Sequence, residues 1–277
     1  MSRTPVSLPQ RRRFGQTSRK DAWWLQPVAV FIGLGIFIVY STWAAFQGEH
    51  YFLTSGGQNY LSPFYSPVLF DAPGQVSGHA WFGPWPAFLD WLPVAICSPA
   101  LLILWAPGGF RFTCYYYRGA YYKAFWADPP SCAVGEPRTS YLGENSLPLI
   151  LQNVHRYFLY LAVVFIFILS YDAFAAMWFV NEAGDKTFGI GLGTIVLTLN
   201  AVFLACYTFG CHSFRHLVGG KKDCLSKAPM GRKAYDCSSC LNKKHMLFAW
   251  ISLFWVGFTD FYVRMCSMGI WSDWRIL

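Results

Sequence analysis

Residues 23–47 read WWLQPVAVFIGLGIFIVYSTWAAFQ, a run without any ionisable side chain. A helix needs about 20 residues to cross the roughly 30 Å of hydrocarbon in a bilayer, and this run is long enough. Four further apolar runs follow it, at residues 91–110, 155–180, 187–214 and 245–266. The sequence therefore predicts an all-α integral membrane bundle of five transmembrane helices.

The composition also indicates a membrane protein. Of the 277 residues, 55% are hydrophobic and only 13% are charged, whereas roughly 25% of the residues of an average soluble domain are charged. Side chains that face lipid need no polar partner, so a bilayer accommodates this composition. The net charge of +8 reflects membrane topology, and no nucleic-acid partner is expected.

The basic residues predict the orientation. Nineteen of the 22 Lys and Arg lie in residues 1–22, 111–156 and 215–244, while the loop 48–90 has none. Because Lys and Arg concentrate in cytoplasmic connections, we expect the N-terminus in the cytoplasm of a multi-pass protein of the cell membrane. The predicted parts are a cytoplasmic N-terminal segment, a five-helix transmembrane domain and an outer C-terminal tail, at residues 1–22, 23–270 and 271–277.

The connection 206–245, between the fourth and fifth spans, concentrates residues that bind metals. It is a predicted cytoplasmic inner loop with five of the nine cysteines and three of the six histidines. A C-x-x-C pair lets two thiolates reach one metal ion, and disulfides are disfavoured in a reducing compartment. His155 opens the third span at the same predicted face. The candidate metal ligands are Cys211, Cys237, Cys240, His155, His212, His216 and His245.

The spacing of these residues leaves the chemistry open. Four thiolates would indicate structural zinc or an all-cysteine iron–sulfur cluster. Mixed ligation fits a Rieske-type [2Fe–2S] centre, whose usual C-x-H and C-x-x-H loops are absent. A haem ladder across the membrane is excluded because no histidine lies in the middle of a span. One haem b near the inner face, between His155 and His245, is compatible with the sequence. A thiol–disulfide reductase that uses Cys237 and Cys240 is a further alternative.

Charged residues inside the spans carry their own expectations. Asp172 lies in the outer part of the third span, either as a hydrogen-bonded acid or as a proton-handling group. Asp260 and Arg264 are four residues apart in the fifth span, and we expect them to neutralise one another. The chain contains no phosphate-binding loop and no nucleophile elbow, so nothing indicates nucleotide binding or hydrolysis.

The basic N-terminus, the five apolar runs and the Cys/His-rich connection resemble the membrane-anchor (C) subunits of actinobacterial, mycobacterial-type succinate dehydrogenases, respiratory complex II. The resemblance covers essentially the whole chain. It implies docking of cytoplasmic flavoprotein and iron–sulfur subunits, with succinate oxidised outside this chain. It also implies electron transfer through a membrane-embedded Rieske-type [2Fe–2S] cluster, in place of haem b, to menaquinone or ubiquinone.

The same resemblance guides the choice of residues. Two thiolates are expected among Cys211, Cys237 and Cys240, and two imidazoles among His155, His216 and His245, with His212 next. The quinone head group would lie near the same face, with Arg156, Tyr157 and Arg215 as its candidate partners. The protein would be embedded among membrane lipids, and a higher oligomer of the complex is compatible with this interpretation.

Overall fold

The computed structural model describes residues 13–89, 91, 93, 97–138, 147, 149–181, 184–220 and 229–277. Most of the basic N-terminal segment and Cys224 of the predicted inner loop lie outside these ranges. The described residues are mostly helical, with two short antiparallel strand pairs.

Four helices are long and apolar enough to cross a membrane. They are α1 (Leu25–Gln47), α5 (His155–Ala175), α6 (Leu192–Phe209) and α9 (His245–Ser267). Their outward side chains are largely large hydrophobics that remain exposed, such as Ile36, Val39 and Phe167. Exposed apolar faces of this length are stable only against lipid, so the protein is a multi-pass membrane protein.

The second predicted span is not one continuous helix. Two short helices replace its second half, α2 (Pro99–Ile103) and α3 (Trp105–Phe112). Pro99 and Pro107 each lie in the first turn of their helix, where the missing amide has no intrahelical acceptor in any case. A proline in these positions favours the start of a new helix. Each of the two helices is by itself too short to cross a bilayer.

The connection between α6 and α9 is largely helical instead of an open loop. It contains α7 (His212–Gly219) and α8 (Pro229–Asn242). The end of α6 is capped from α8: Ser238 Oγ donates to the Phe209 carbonyl and Asn242 Nδ2 donates to the Gly210 carbonyl, both at 2.8 Å. The last carbonyls of a helix lack intrahelical donors, and these two side chains supply them.

The chain divides into two compact units, Met1–Ile36 with Thr113–Asn153, and Phe37–Phe112 with Val154–Leu277. In the first unit, Gly15 and Gly135 are joined by a backbone hydrogen bond of 3.0 Å, and Arg19 donates to Ser131 Oγ at 2.9 Å. The unit also contains the short helix α4 (Tyr115–Ala120), followed by a π-helical turn (Tyr121–Phe125).

In the second unit, the long loop after α1 folds into the protein. Strand β1 (Phe52–Leu53) pairs with β2 (Tyr60–Leu61). Tyr51, Tyr60 and Tyr65 are fully buried, and the rings of Tyr51 and Tyr65 stack with centroids 4.4 Å apart. The loop therefore contributes a large part of the core, together with the end of α1.

A second strand pair follows α5. Strand β3 (Trp178–Val180) pairs with β4 (Lys186–Phe188), so the helix ends at Ala175 instead of reaching residue 180. The C-terminal residues lie against the start of α6. Asp273 there accepts hydrogen bonds from the Tyr60 hydroxyl at 2.7 Å, the Tyr262 hydroxyl at 2.6 Å and the Gly193 amide at 2.8 Å.

Asp260 and Arg264 form the predicted ion pair, and this expectation is confirmed. Arg264 Nε lies 3.4 Å from Asp260 Oδ2, and the Tyr40 hydroxyl donates to the same oxygen at 2.6 Å. Arg264 also donates to the carbonyls of Glu49 at 2.8 Å and Ala44 at 3.4 Å. The arginine of α9 thereby supplies donors to the end of α1. Asp172 accepts a hydrogen bond from the Ser66 hydroxyl.

Candidate functional site

One end of the second unit gathers histidine, cysteine and arginine side chains; we call it the His/Cys end. Helices α5 and α9 begin there with His155 and His245, and α3 and α6 end there. Cys211 precedes α7 as its N-cap residue. His155 Nε2 lies 3.1 Å from Cys211 Sγ, and both side chains are buried. An imidazole and a thiol from distant parts of the sequence therefore meet in a site that excludes water.

Aromatic rings hold the two imidazoles in place. The ring of His155 stacks on Phe110, with centroids 4.6 Å apart, and the ring of His245 stacks on Tyr207, with centroids 5.0 Å apart. Phe110 and Tyr207 in turn meet edge to face, with centroids 5.5 Å apart. Such ring contacts fix the orientation of each imidazole, as a metal ligand requires.

Arg111 joins three helices beside these rings. Its guanidinium donates to the Ala249 carbonyl at 3.1 Å and to Ser252 Oγ at 2.8 Å, both on α9. It also lies 4.6 Å from the centroid of the Tyr207 ring on α6. A cation–π contact of this kind is strengthened where water is excluded. Arg111 therefore has a fixed position between α3, α6 and α9.

The other predicted ligands lie elsewhere. His212 and His216 are exposed on α7, with their Nε2 atoms 3.1 Å apart. Burial, the neighbouring His216 and the positive charge of Arg215 lower the pKa of His212. Cys237 and Cys240 are exposed on α8, because the buried Ser238 between them turns towards α6. Among the residues that the structure describes, no three His, Cys, Asp or Glu side chains are placed to hold one metal ion.

A largely apolar cavity of about 420 Å³ leads away from the His/Cys end. Its walls come from the second half of α1, from α3, α5 and α6, and from Pro63 and Phe64 of the buried loop. Arg111, Tyr207 and Thr208 are the polar side chains at its His/Cys end. Sites for small organic ligands have this volume range and this pattern of apolar walls with a few polar groups.

The three residues predicted to contact a quinone do not line this cavity. Arg156 and Tyr157 are exposed at the start of α5, and the guanidinium of Arg215 lies 5.4 Å from the centroid of the Tyr235 ring. The sequence interpretation did not single out Arg111 and Tyr207. The sequence signal that could have identified Arg111 is its position at the end of an apolar run, followed by aromatic residues.

Comparison with known proteins identifies relatives. The sequence model of the family described as actinobacterial succinate dehydrogenase subunit SdhC matches residues 25–269. A chain of the solved structure described as the Mycobacterium smegmatis Sdh1 complex in the apo form is similar, with 40% sequence identity and a TM-score of 0.84. The alignment covers 100% of this chain and 98% of that chain. No curated protein matches the chain significantly.

Proposed function

Because the chain belongs to the actinobacterial SdhC family and is thus the membrane-anchor subunit of a succinate dehydrogenase, we propose that it also carries the quinone-reducing site of the complex. A Rieske-type [2Fe–2S] cluster at the His/Cys end would be the electron carrier next to this site. Electrons would arrive from cytoplasmic flavoprotein and iron–sulfur subunits and would leave on menaquinone or ubiquinone. The observation that carries the proposal is the contact of His155 with Cys211 beside a cavity that contains Arg111, with His245 stacked on Tyr207 at the same end.

The donor atoms at this end suit such a cluster in kind. A Rieske-type centre takes two imidazoles on one iron and two thiolates on the other. His155 and His245 would supply the imidazoles, and Cys211 would supply one thiolate, since its Sγ already contacts His155 Nε2 at 3.1 Å. The second thiolate would come from Cys237 or Cys240 of α8, the helix that caps the end of α6. When bound, the cluster takes up and releases one electron at a time.

The cavity offers a place for the quinone. A guanidinium presents N–H donors in a fixed fork, and Arg111 is one of the polar side chains that line the cavity. Arg111 would donate to a quinone carbonyl oxygen and would stabilise the negative charge that develops on that oxygen during reduction. The hydroxyls of Tyr207 and Thr208 would orient the head group, and the apolar walls would exclude water and hold the isoprenoid tail.

We also propose a topology, which the distribution of Lys and Arg supports. Helices α2 and α3 would belong to a fifth crossing. The His/Cys end would face the cytoplasm, where the soluble subunits dock on the basic inner segments. Under this arrangement an electron reaches the quinone without crossing the whole bilayer.

The decisive experiment is EPR spectroscopy with metal analysis on the purified complex. We expect wild-type complex to contain two more irons than its soluble clusters require and to give a reduced-state signal with a Rieske-type average g value. The variant His155→Ala/His245→Ala should lose that signal and quinone reduction, while succinate oxidation with an artificial acceptor persists. The matched control is His50→Ala, in the loop after α1, which should retain both properties.

The same preparation separates the alternatives. If the complex contains stoichiometric zinc and no additional iron, the metal at this site is structural and does not carry electrons. A haem absorption band lost in His155→Ala/His245→Ala would assign a haem b to the same pair of histidines. A wild-type signal in that variant would remove both histidines from the metal site, and redox cycling of Cys237 with Cys240 would indicate a thiol–disulfide reductase.

A further inference from the structure

The four histidines of the predicted metal loop and its surroundings form two separate pairs. His155 and His245 belong to the buried ring contacts of the His/Cys end. His212 and His216 form a second pair on the exposed side of α7, with ring centroids 4.5 Å apart and ring planes at 78°. The cluster proposed above would use His155 and His245, which leaves the exposed pair without an assigned role.

The geometry of the exposed pair is that of a bidentate chelate. The Nε2 atoms of His212 and His216 lie 3.1 Å apart. Zinc binds imidazole nitrogen at about 2.0–2.1 Å, so two nitrogens at this separation subtend an angle of about 95–100° at the metal. That angle lies between those of octahedral and tetrahedral coordination. The separation of the two nitrogens therefore suits one ion, and the rings would turn about their side-chain torsions so that both Nε2 lone pairs meet at the metal.

We propose that His212 and His216 form a surface site for a divalent transition-metal ion, with zinc as the representative ion, separate from the site at His155 and Cys211. Imidazole ligands select this class of metal over Mg²⁺ and Ca²⁺, which prefer oxygen. Water completes the coordination, since the structure places no third His, Cys, Asp or Glu ligand beside the pair among the residues that it describes.

Binding also requires a change of tautomer. In the structure one Nε2 donates its hydrogen to the other across 3.1 Å. When the metal takes both Nε2 atoms, the hydrogen of the donor ring moves from Nε2 to Nδ1. Arg215, on the same helix, has its guanidinium 5.4 Å from the centroid of the Tyr235 ring of α8.

Occupancy has a structural consequence for α7. This helix has eight residues, and helices much shorter than about 12 residues are marginal without outside contacts. A metal that binds positions i and i+4 stabilises only the helical form. Cys211, the N-cap residue of the same helix, is thereby held at the end that meets His155. Metal binding on the surface of α7 would therefore also stabilise the position of Cys211 in the buried site.

The test compares zinc binding by the purified complex with two variants. His212→Asn/His216→Asn removes both ligands. His216→Asn/Leu217→His keeps the number of histidines but moves one of them off the shared helical face, at a position that is exposed. We expect wild-type complex to bind one more equivalent of Zn²⁺ than either variant, and Co²⁺ to give an additional absorption band in the wild type that both variants lack. Exposed cysteines remain in all three proteins, so their contribution cancels.

Hydrogen exchange and EPR complete the test. Zn²⁺ should slow amide exchange in residues 212–220 of the wild type and leave the variants unchanged, while all three proteins keep the [2Fe–2S] signal. Equal zinc stoichiometry in the three proteins would overturn the inference and leave the proposed quinone site untouched. Loss of the [2Fe–2S] signal in His212→Asn/His216→Asn would also overturn it, because the pair would then belong to the cluster.

Discussion

Arg264 and Asp260 form an ion pair in which both side chains are almost fully inaccessible, with 1% and 0% of their surfaces exposed and 3.4 Å between Nε and Oδ2. The pair lies within α9, a helix apolar enough to span the membrane. Each charge has further partners, the Tyr40 hydroxyl for the carboxylate and two backbone carbonyls for the guanidinium. These additional hydrogen bonds are what makes a buried pair tolerable.

Removal of one partner of this pair should destabilise the protein strongly. We expect Arg264→Met to lower the free energy of unfolding by about 3–5 kcal/mol, because Asp260 would remain buried and unpaired. Asp260→Asn/Arg264→Met should recover part of that loss. Thermal unfolding of the purified complex measures these two variants and Asp260→Asn alone. If the effects of the two single substitutions add up to that of the double substitution, the pair is not coupled.

Arg111 should be needed for quinone reduction, whereas Arg156 should not. A hydrogen bond to a charged group contributes about 1.5–3 kcal/mol, so Arg111→Gln should reduce kcat/KM for a soluble quinone analogue by roughly ten- to a hundredfold. Arg156→Gln, at an exposed position outside the cavity, should have little effect. Assays with the quinone analogue and with an artificial acceptor separate this loss from damage to the soluble subunits. If Arg156→Gln reduces kcat/KM more than Arg111→Gln does, the quinone binds at the start of α5 instead.

Serine substitutions should identify the thiolates. Cys211→Ser is expected to abolish the [2Fe–2S] signal, since the buried Cys211 contacts His155 directly. Of Cys237→Ser and Cys240→Ser, one should lose the signal and the other should keep it. Iron content and EPR of each complex are the measurements. If both variants of α8 retain the cluster, its second thiolate comes from another cysteine.

His79 should make the protein sensitive to acid. Burial lowers the pKa of His79, although the nearby Asp71 acts in the opposite direction. The folded protein therefore resists a proton that the unfolded chain binds below about pH 6.5, so stability is lost as the pH falls through that value, by at most about 1.4 kcal/mol per pH unit. His79→Gln should flatten the dependence of the unfolding temperature between pH 7.5 and 5.5. His50→Gln, in the same loop, is the control; identical profiles for wild type and His79→Gln would exclude this cause.

The long helices follow from the sequence because hydropathy is a local property. The runs that begin near Trp23 and His245 need no tertiary contact to be recognised. The burial of Tyr51, Tyr60 and Tyr65 was not predicted, since a turn-rich loop between spans has no periodic pattern that shows where it packs. Two prolines divide the second apolar run, and hydropathy alone does not reveal that division.

The site illustrates the same limit. Sequence reasoning placed His155, Cys211 and His245 at one membrane face because each lies at the end of an apolar run. It treated Cys237 and Cys240 as a metal-binding turn, but spacing alone does not distinguish a turn from the helix that the structure shows there. Arg111 and Tyr207 join the site only through the packing of α3 against α5 and of α6 against α9, which no local pattern reports.

The contact of Arg264 with the carbonyls of Ala44 and Glu49 bears on how the protein is made. Helix α1, which is synthesised before α9, ends in carbonyl groups whose donors come from the loop after it and from α9. Most of the chain is synthesised between α1 and α9, so α1 can insert into the membrane long before α9. The end of α1 reaches its final hydrogen bonding only when α9 is in the membrane. Nascent chains that stop before α9 would therefore present an unfinished first helix to the quality-control proteases of the cell.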